Sequence, residues 1–393
     1  MPHFAETRAQ FAMTIMEKDI LLKLIAIPSY VDDTCSEKGI GDYIFKLLND
    51  NCPWLTVKRQ LVSNNRFNII AEDFGKKKDL VFISHIDTVL PSGSKEKMLK
   101  PEIKDGMIYG LGAADMKGGI AALLSAIIKA GPTKGCVYIF DCDEEYYFLG
   151  IQKVIKEYEY NPRLVIFPEP TDLQIVNGCR GIVELSFDVI GKTAHAGVPE
   201  NGINAIEKAV KIVEGLRLVL SNSAKTPLGK TTVNLSKLDG GRLLDGRIAT
   251  QANAVPDVAR ILLDIRVADI KLSAQKIIKI LQKESKKEKV QITNIKINLD
   301  YPGYLTKKEE VEEFYSLVMK IDSRVQFKED IGKGGFFEAA FVCKAWNCPA
   351  ISFGPGLRET SHTTNEQASI EMLNKTKEVY CTLLKKYATI LVQ

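Results

Sequence analysis

Short, unbroken apolar segments recur along the first half of the chain and once more near its end. They read DLVFIS from Asp79, CVYIFD from Cys136, RLVIF from Arg163 and PAISF from Pro349. Such runs, rich in β-branched and aromatic residues, are typical of strands buried on both faces. Between them, the segment MKGGIAALLSAIIKA from Met116 has apolar residues at helical spacing. Strands that alternate with helices predict an α/β domain with a mainly parallel sheet.

A different pattern begins near Gly181. The segments GIVELSFDVIGK and KTTVNLSKLDGG alternate apolar and polar residues, which is typical of strands with one exposed face. Two amphipathic helical segments, INAIEKAVKIVEGLRLVL and LSAQKIIKILQKE, accompany them. After Tyr301 the first pattern returns. The sequence therefore predicts an inserted α+β domain over residues 182–299, within a first domain made of residues 1–181 and 300–393.

The composition is that of an ordinary globular protein with two domains. Of 393 residues, 45% are hydrophobic and 26% are charged, values that argue against disorder or a fibrous repeat. The net charge of +4, from 53 basic and 49 acidic residues, is too balanced for a nucleic-acid binder. We therefore expect no nucleic acid among the partners.

The lack of a recognisable targeting signal and the spacing of the cysteines predict a cytoplasmic location. The N-terminal residues lack the uncharged core of a signal peptide, and no later stretch has the 18 or more consecutive apolar residues of a membrane span. We expect no membrane partner. The eight cysteines form neither a CxxC pair nor a dense cluster, which favours reduced thiols. Any metal should thus be held by oxygen and imidazole groups.

Potential metal ligands follow each of the predicted buried strands. His85 and Asp87 end the first, the acidic cluster DCDEE at 141–145 ends the second, Glu169 follows the third, and His362 lies beyond the fourth. Ligands in open α/β sheets bind at the carboxyl ends of strands. So many carboxylates at one strand exit should repel each other unless a cation compensates. A metal site is the simplest explanation.

Taken singly, these residues also have ordinary structural interpretations. His85 and Asp87 could form a hydrogen-bonded pair without a metal. Asp115, where a loop enters the helix predicted from Met116, suits a helix N-cap. Only the whole set favours a metal centre.

Seven segments, taken in order, resemble those of one enzyme family. They are SHIDTV, GLGAADMKGG, DCDEE, EPT, TAHAGVPENGINAI, NAVPD followed by LDIR, and FGPG followed by SHTTNE. Over nearly its whole length the chain resembles the co-catalytic zinc amidohydrolases that include acetylornithine deacetylase, succinyl-diaminopimelate desuccinylase, aminoacylase and glutamate carboxypeptidase. The resemblance implies an α/β zinc-peptidase-like catalytic domain with a mainly parallel sheet, and an inserted α+β lid and dimerisation domain.

The resemblance also implies a metal centre, residue by residue. Asp115 would bridge two divalent metal ions. His85 and Glu169 would complete one site, and Glu145 and His362 the other. Zinc is favoured by this mixture of imidazole and carboxylate, although cobalt or manganese would fit the same ligands. A cis peptide bond is implied between Asp115 and Met116.

The same resemblance implies catalytic and substrate-binding roles. Glu144 matches the general base and Asp87 the partner that orients His85. His195 matches a histidine that reaches the active site, usually across a dimer. The expected substrate contacts are Asn253, Arg266 and Gly354. Arg266 could clamp a carboxylate or, alternatively, brace the lid sheet through a salt bridge.

These residues predict an enzyme that removes the acyl group from an N-acyl amino acid, working as a homodimer through the lid domain. A dipeptidase or carboxypeptidase of the same family is the alternative within the enzyme class. Two other interpretations are a catalytically inactive dimeric binding protein and an unrelated α/β protein with a structural acidic cluster. Arg358 and Glu359, between FGPG and SHTTNE, could suit a charged acyl group.

Overall fold

The chain forms two compact units. The computed structural model describes residues 16–222, 225–249, 251–328, 331 and 335–388. The first unit consists of the described residues within Met1–Asn177, Thr306–Glu329 and Phe341–Gln393. The second consists of those within Gly178–Leu305 and Asp330–Ala340.

A six-stranded sheet lies at the centre of the first unit. The strands of this unit are β1 (Thr56–Ser63), β2 (Arg66–Glu72), β3 (Leu80–His85), β4 (Glu102–Lys104), β5 (Met107–Tyr109), β6 (Cys136–Asp141), β7 (Leu164–Phe167), β16 (Ala350–Ser352) and β17 (Gln367–Ser369). The central sheet has the order β1-β2-β6-β3-β7-β16. Its last four strands are parallel, while β1 and β2 add an antiparallel edge. The predicted α/β fold with a mainly parallel sheet is confirmed.

Helices cover this sheet and pack around one deeply buried helix. The helices of the described chain are α1 (Glu17–Ala26), α2 (Lys38–Asn51), α3 (Lys95–Met98), α4 (Lys117–Ala130), α5 (Leu149–Glu157), α6 (Ala205–Ser221), α7 (Ala274–Lys287), α8 (Glu312–Ile321), α9 (Ala339–Trp346) and α10 (Ile370–Ala388). Helix α4, predicted from Met116, packs against α1 and α10. Almost all of its side chains are buried, because apolar and small residues occupy every face.

Small residues on α4 allow a close approach to the chain beyond β7. A Cβ atom added at Gly119 would lie only 1.9 Å from the carbonyl oxygen of Pro168. Glycine is therefore required here, and the N-terminal turn of α4 lies directly against the segment that leads into Glu169. This packing positions two of the predicted metal ligands, because Asp115 immediately precedes the same turn.

The second unit is an antiparallel sheet covered by two helices. Its strands are β8 (Gly178–Cys179), β9 (Gly181–Ile190), β10 (Thr232–Gly241), β11 (Leu243–Leu244), β12 (Arg247–Ile248), β13 (Val258–Val267), β14 (Gln291–Tyr301) and β15 (Tyr304–Leu305). The main sheet has the order β10-β13-β9-β14. Burial alternates along β9 and β13, and their buried side chains form one core with α6 and α7. The period of two in the sequence reflects this one-sided burial.

Two further observations concern the environment of the chain. Among the described helices, none is both long enough and apolar enough to cross a membrane. The eight cysteines all lie within the described residues, where they form no disulfide bond, and most of them are buried.

Candidate metal centre

Three neighbouring strands deliver ligands to one edge of the first unit's sheet. Strand β3 lies between β6 and β7 and runs parallel to both. It ends at His85, β6 leads into the acidic cluster at 141–145, and β7 leads into Glu169. Because parallel strands end at the same edge, these side chains converge, as is usual for ligand sites in α/β sheets.

His85 belongs to a first group of possible ligands with Asp115 and Glu169. Its Nε2 atom lies 3.2 Å from Oδ1 of Asp115 and 3.9 Å from Oε1 of Glu169. One donor atom from each of the three residues falls within 4.8 Å of the others. One cation could therefore contact all three.

A second group uses the other oxygen of Asp115. The Nε2 atom of His362 lies 3.6 Å from Oδ2 of Asp115 and 3.0 Å from Oε1 of Glu145. One donor atom from each of these three residues also lies within 4.8 Å of the others. The two oxygens of one carboxylate thus face two different histidines. The peptide bond between Asp115 and Met116 is cis, which confirms the geometry implied by the resemblance.

The donor set fits divalent cations. Burial raises the pKa of Glu169 to about 8, and Oε1 of Glu169 accepts no hydrogen bond from any described residue. Burial also raises the pKa of Glu144 and of Glu145. Carboxylates in such surroundings favour a nearby positive charge, and a mixture of imidazole and carboxylate suits zinc and similar metals. Glu144 also lies within reach of His85 and Glu145, so distance alone does not separate a base from a ligand.

Asp87 orients both His85 and the following acidic turn. Its Oδ1 atom lies 3.5 Å from Nδ1 of His85, while its backbone oxygen lies 3.2 Å from the same nitrogen. Its carboxylate also accepts the backbone N–H groups of Glu144 at 3.1 Å and Glu145 at 3.0 Å. Through its carboxylate and its backbone carbonyl, this one buried residue therefore holds three of the candidate residues, and it directs Nε2 of His85 toward the centre.

Within the acidic cluster at 141–145, Asp143 has partners other than the candidate metal ligands. Asp143 forms an ion pair with Arg66 at 2.5 Å and accepts the N–H groups of Tyr147 and Leu149. Arg66 also pairs with the buried Glu37. A guanidinium group, and not a metal, therefore compensates Asp143. This corrects the interpretation of the whole cluster as one metal-binding feature.

Glu366 is a residue whose role the sequence analysis missed. Its buried carboxylate accepts three backbone N–H groups from the loop that ends at Asp115: those of Gly112 at 2.8 Å, Ala114 at 3.2 Å and Asp115 at 2.9 Å. Its own carbonyl accepts the N–H of Gly110 at 3.1 Å. The signal was present, because Glu366 ends the SHTTNE motif. We infer that it positions Asp115.

Three further predicted residues, His195, Asn253 and Arg266, lie in the second unit. The loops that carry His195 and Asn253 pair with each other, and the carbonyl of Asn253 accepts the N–H of Ala196 at 3.1 Å. His195 is exposed, and its Nδ1 accepts the N–H of Gly197 at 3.0 Å. Its Nε2 therefore carries the proton and can donate.

Arg266 and Gly354 both have partners within their own units. Arg266, on β13, donates two hydrogen bonds to Asp264, at 2.8 and 3.0 Å, in the bracing arrangement that the sequence left open. Gly354 is buried and exchanges hydrogen bonds with Thr171. A substrate contact by either residue remains a prediction.

Comparison with known proteins shows the family of this chain. The profile of peptidase family M20/M25/M40 matches residues 81–386. This chain belongs to the M20 family. It is 28% identical to the acetylornithine deacetylase of Buchnera aphidicola, with 84% of this chain and 86% of the relative covered. It is 27% identical to a probable carboxypeptidase of Aspergillus clavatus, with 92% and 86% covered.

A solved structure shares the fold of this M20 chain. The crystal structure of a Staphylococcus aureus tripeptidase superimposes with a TM-score of 0.73 at 22% identity, and the match covers 95% of this chain and 98% of that one. The family includes dinuclear metal-binding peptidases. The chain is thus an M20 hydrolase with candidate residues for metal binding.

Replacement of Glu366 tests how the Asp115 loop of this M20 hydrolase is held. We expect Glu366→Gln to weaken metal binding by about 10- to 100-fold, because the amide presents only one oxygen to three N–H groups. Competition with a chelator measures the metal affinity, and thermal unfolding reports on stability.

The matched control is Glu371→Gln, an exposed residue in the first turn of α10. It should leave metal affinity unchanged and alter stability by less than about 0.5 kcal/mol. Equal metal affinity in Glu366→Gln and the control would show that Glu366 does not position Asp115.

Proposed function

We propose that this M20 hydrolase is a two-metal amidohydrolase that removes the acyl group from an N-acyl amino acid. One observation carries the proposal: the two oxygens of Asp115 face His85 and His362, and each of these histidines has a further carboxylate beside it. Two ligand groups that share one carboxylate are the arrangement expected for a pair of metal ions.

In this proposal His85, Asp115 and Glu169 hold one ion. Asp115, Glu145 and His362 hold the other. When bound, two divalent ions polarise the scissile carbonyl and lower the pKa of water toward neutrality. Zinc is the proposed metal, because imidazole and carboxylate together suit it.

Glu144 is the proposed general base. Burial raises the pKa of its carboxyl well above the usual range, and a raised pKa makes a carboxylate a stronger base. Its backbone N–H donates to Asp87, and its carboxylate lies beside His85 and Glu145, one member of each ligand group. It takes a proton from the attacking water and delivers it to the leaving nitrogen.

The second unit is the proposed lid. The N–H on Nε2 of His195 is available as a donor, because Nδ1 is already an acceptor. It would stabilise the oxyanion that develops on the scissile carbonyl. Asn253, on the loop paired with that of His195, is the proposed neighbouring substrate contact.

The substrate is proposed from the relatives. The similarity to an acetylornithine deacetylase over most of both chains supports an N-acyl amino acid. The similarity to a probable carboxypeptidase, which covers 92% of this chain, favours a dipeptidase or carboxypeptidase as the second candidate. Both reactions cleave an amide bond and would use the same ligands and base.

The proposed assembly is a homodimer formed through the second unit. The proposed location is the cytoplasm. Eight cysteines that form no disulfide bond in the described structure support a reducing compartment, where disulfides are rare.

Replacement of the base tests the proposed mechanism. We expect Glu144→Ala to retain two metal ions per chain and to lose turnover by at least about 10²-fold, because it removes proton transfer without removing a ligand. Metal content and amine release are measured on zinc-loaded protein, with N-acetyl and N-succinyl amino acids and dipeptides as substrates.

The exposed Glu96→Ala variant, on α3, is the control and should behave like the unmodified protein. Unimpaired turnover by Glu144→Ala would contradict its role as the base. A preference for dipeptides over acylated amino acids would replace the deacylase with the second candidate. Absence of turnover of every substrate by the metal-loaded protein would reject both candidate functions.

Mixing two inactive variants tests His195 and the dimer together. We expect His195→Ala to bind both metals but to lower kcat by about 10²- to 10³-fold, the usual effect of losing an oxyanion donor. If the histidine acts across the dimer, chains with Glu144→Ala and chains with His195→Ala should together form one complete site and regain activity. Mixing without recovery would exclude action across a dimer, and an undiminished rate in His195→Ala would remove the histidine from the mechanism.

A further inference from the structure

Arg358 lies on a short turn that is tied to the segment carrying Glu169. The turn, Arg358–Thr360, begins four residues before His362. The backbone N–H of Arg358 donates to Oδ1 of Asp172 at 3.2 Å. Asp172 follows Glu169 by three residues, so this hydrogen bond joins the turn to the exit of β7.

The residues just before Arg358 pack against the backbone of both ligand loops. A Cβ atom added at Gly354 would lie 2.5 Å from the carbonyl oxygen of Glu169. One added at Gly356 would lie 3.0 Å from Cα of Ala114, the residue before Asp115. Neither position has space for a larger side chain. The backbone that leads into Arg358 is therefore held between the segments that carry Asp115 and Glu169.

The side chain of Arg358 is half-buried but has no ion pair or hydrogen bond with any residue that the structure describes. Other basic groups of this unit are engaged: Arg66 pairs with two carboxylates, and Lys328 lies 4.0 Å from Asp172. In the second unit the guanidinium of Arg266 is occupied by Asp264. The guanidinium of Arg358 is planar and can donate two parallel hydrogen bonds, and no described residue uses these donors.

We propose that Arg358 binds a carboxylate of the substrate beside the metal centre. The proposal rests on the function proposed above and adds the group that selects anionic substrates. A half-buried guanidinium without a protein partner is matched by a planar carboxylate, which accepts two parallel hydrogen bonds from it. The carboxylate belongs either to the amino acid being released or to the far end of the acyl group.

Three substrates of one amino acid separate these sources. An N-acetyl amino acid has only the α-carboxylate, its carboxamide has no carboxylate, and the N-succinyl amino-acid amide has one only at the acyl end. The zinc-loaded protein is compared with Arg358→Gln and Arg358→Lys. Arg163→Gln is the control, because Arg163 is exposed and precedes β7 at the end opposite Glu169.

Arg358→Gln should lower kcat/KM by about 10- to 100-fold for a substrate whose carboxylate it binds, the effect of losing a charge-assisted hydrogen bond. The loss should lie mainly in KM, and the uncharged carboxamide should change less than about 3-fold. Arg358→Lys should recover part of the difference, since it keeps the charge without the planar fork. A loss confined to the N-acetyl amino acid assigns the α-carboxylate, and a loss confined to the succinyl amide assigns the acyl end.

An equal loss on all three substrates, or no loss on any, would overturn the assignment of Arg358. A binding measurement supplies a second readout. In the Glu144→Ala background, which should bind without hydrolysis, Arg358→Gln should raise the Kd of the carboxylate-bearing substrate by the same factor, with metal content and thermal stability unchanged. Absence of turnover and of binding in the metal-loaded wild type would instead reject the proposed function itself, an outcome distinct from substrate-independent behaviour of an active enzyme.

Discussion

The position of a single carboxylate, that of Asp115, is the constraint on which the rest of the first unit depends. Its two oxygens must face two histidines that come from opposite ends of this unit's sequence, His85 and His362. Three layers of structure hold it there. Glu366 binds the backbone of the loop, α4 begins directly after it in the core, and Gly119 allows that helix to approach the chain that enters Glu169. All three features fix the backbone around Asp115, so the side chain of Asp115 needs few hydrogen-bond partners of its own.

Neighbouring groups reduce the repulsion among the carboxylates at this site. The acidic turn after β6 would repel itself if all its carboxylates faced inward. Arg66 neutralises Asp143, and Asp87 uses its oxygens on the N–H groups of Glu144 and Glu145. Those two carboxylates are then left for the proposed ligand and base. Raised pKa values at Glu144 and Glu169 follow from burial in this environment and are suited to a cation that stabilises the charged forms.

Local patterns in the sequence predicted much of this architecture, but they did not predict the contacts between residues far apart along the chain. Apolar runs identified β3, β6, β7 and β16, because a strand buried on both faces leaves a distinctive composition. The sequence also identified the residues that the structure groups around Asp115. It did not reveal that Glu366 binds a loop some 250 residues earlier, or that Arg66 pairs with Asp143, 77 residues later. Such contacts depend on how the finished fold brings distant segments together, and an isolated Glu or Arg carries no periodic signal of them.

The central claim, two metal ions that share Asp115, is tested most directly by anomalous X-ray diffraction from zinc-loaded crystals at the metal absorption edge. The account predicts two anomalous peaks per chain, about 3.5 to 4 Å apart. One should lie beside His85 and Glu169, the other beside His362 and Glu145, with Asp115 between them. A single peak, or peaks whose ligands do not include Asp115, would contradict the account.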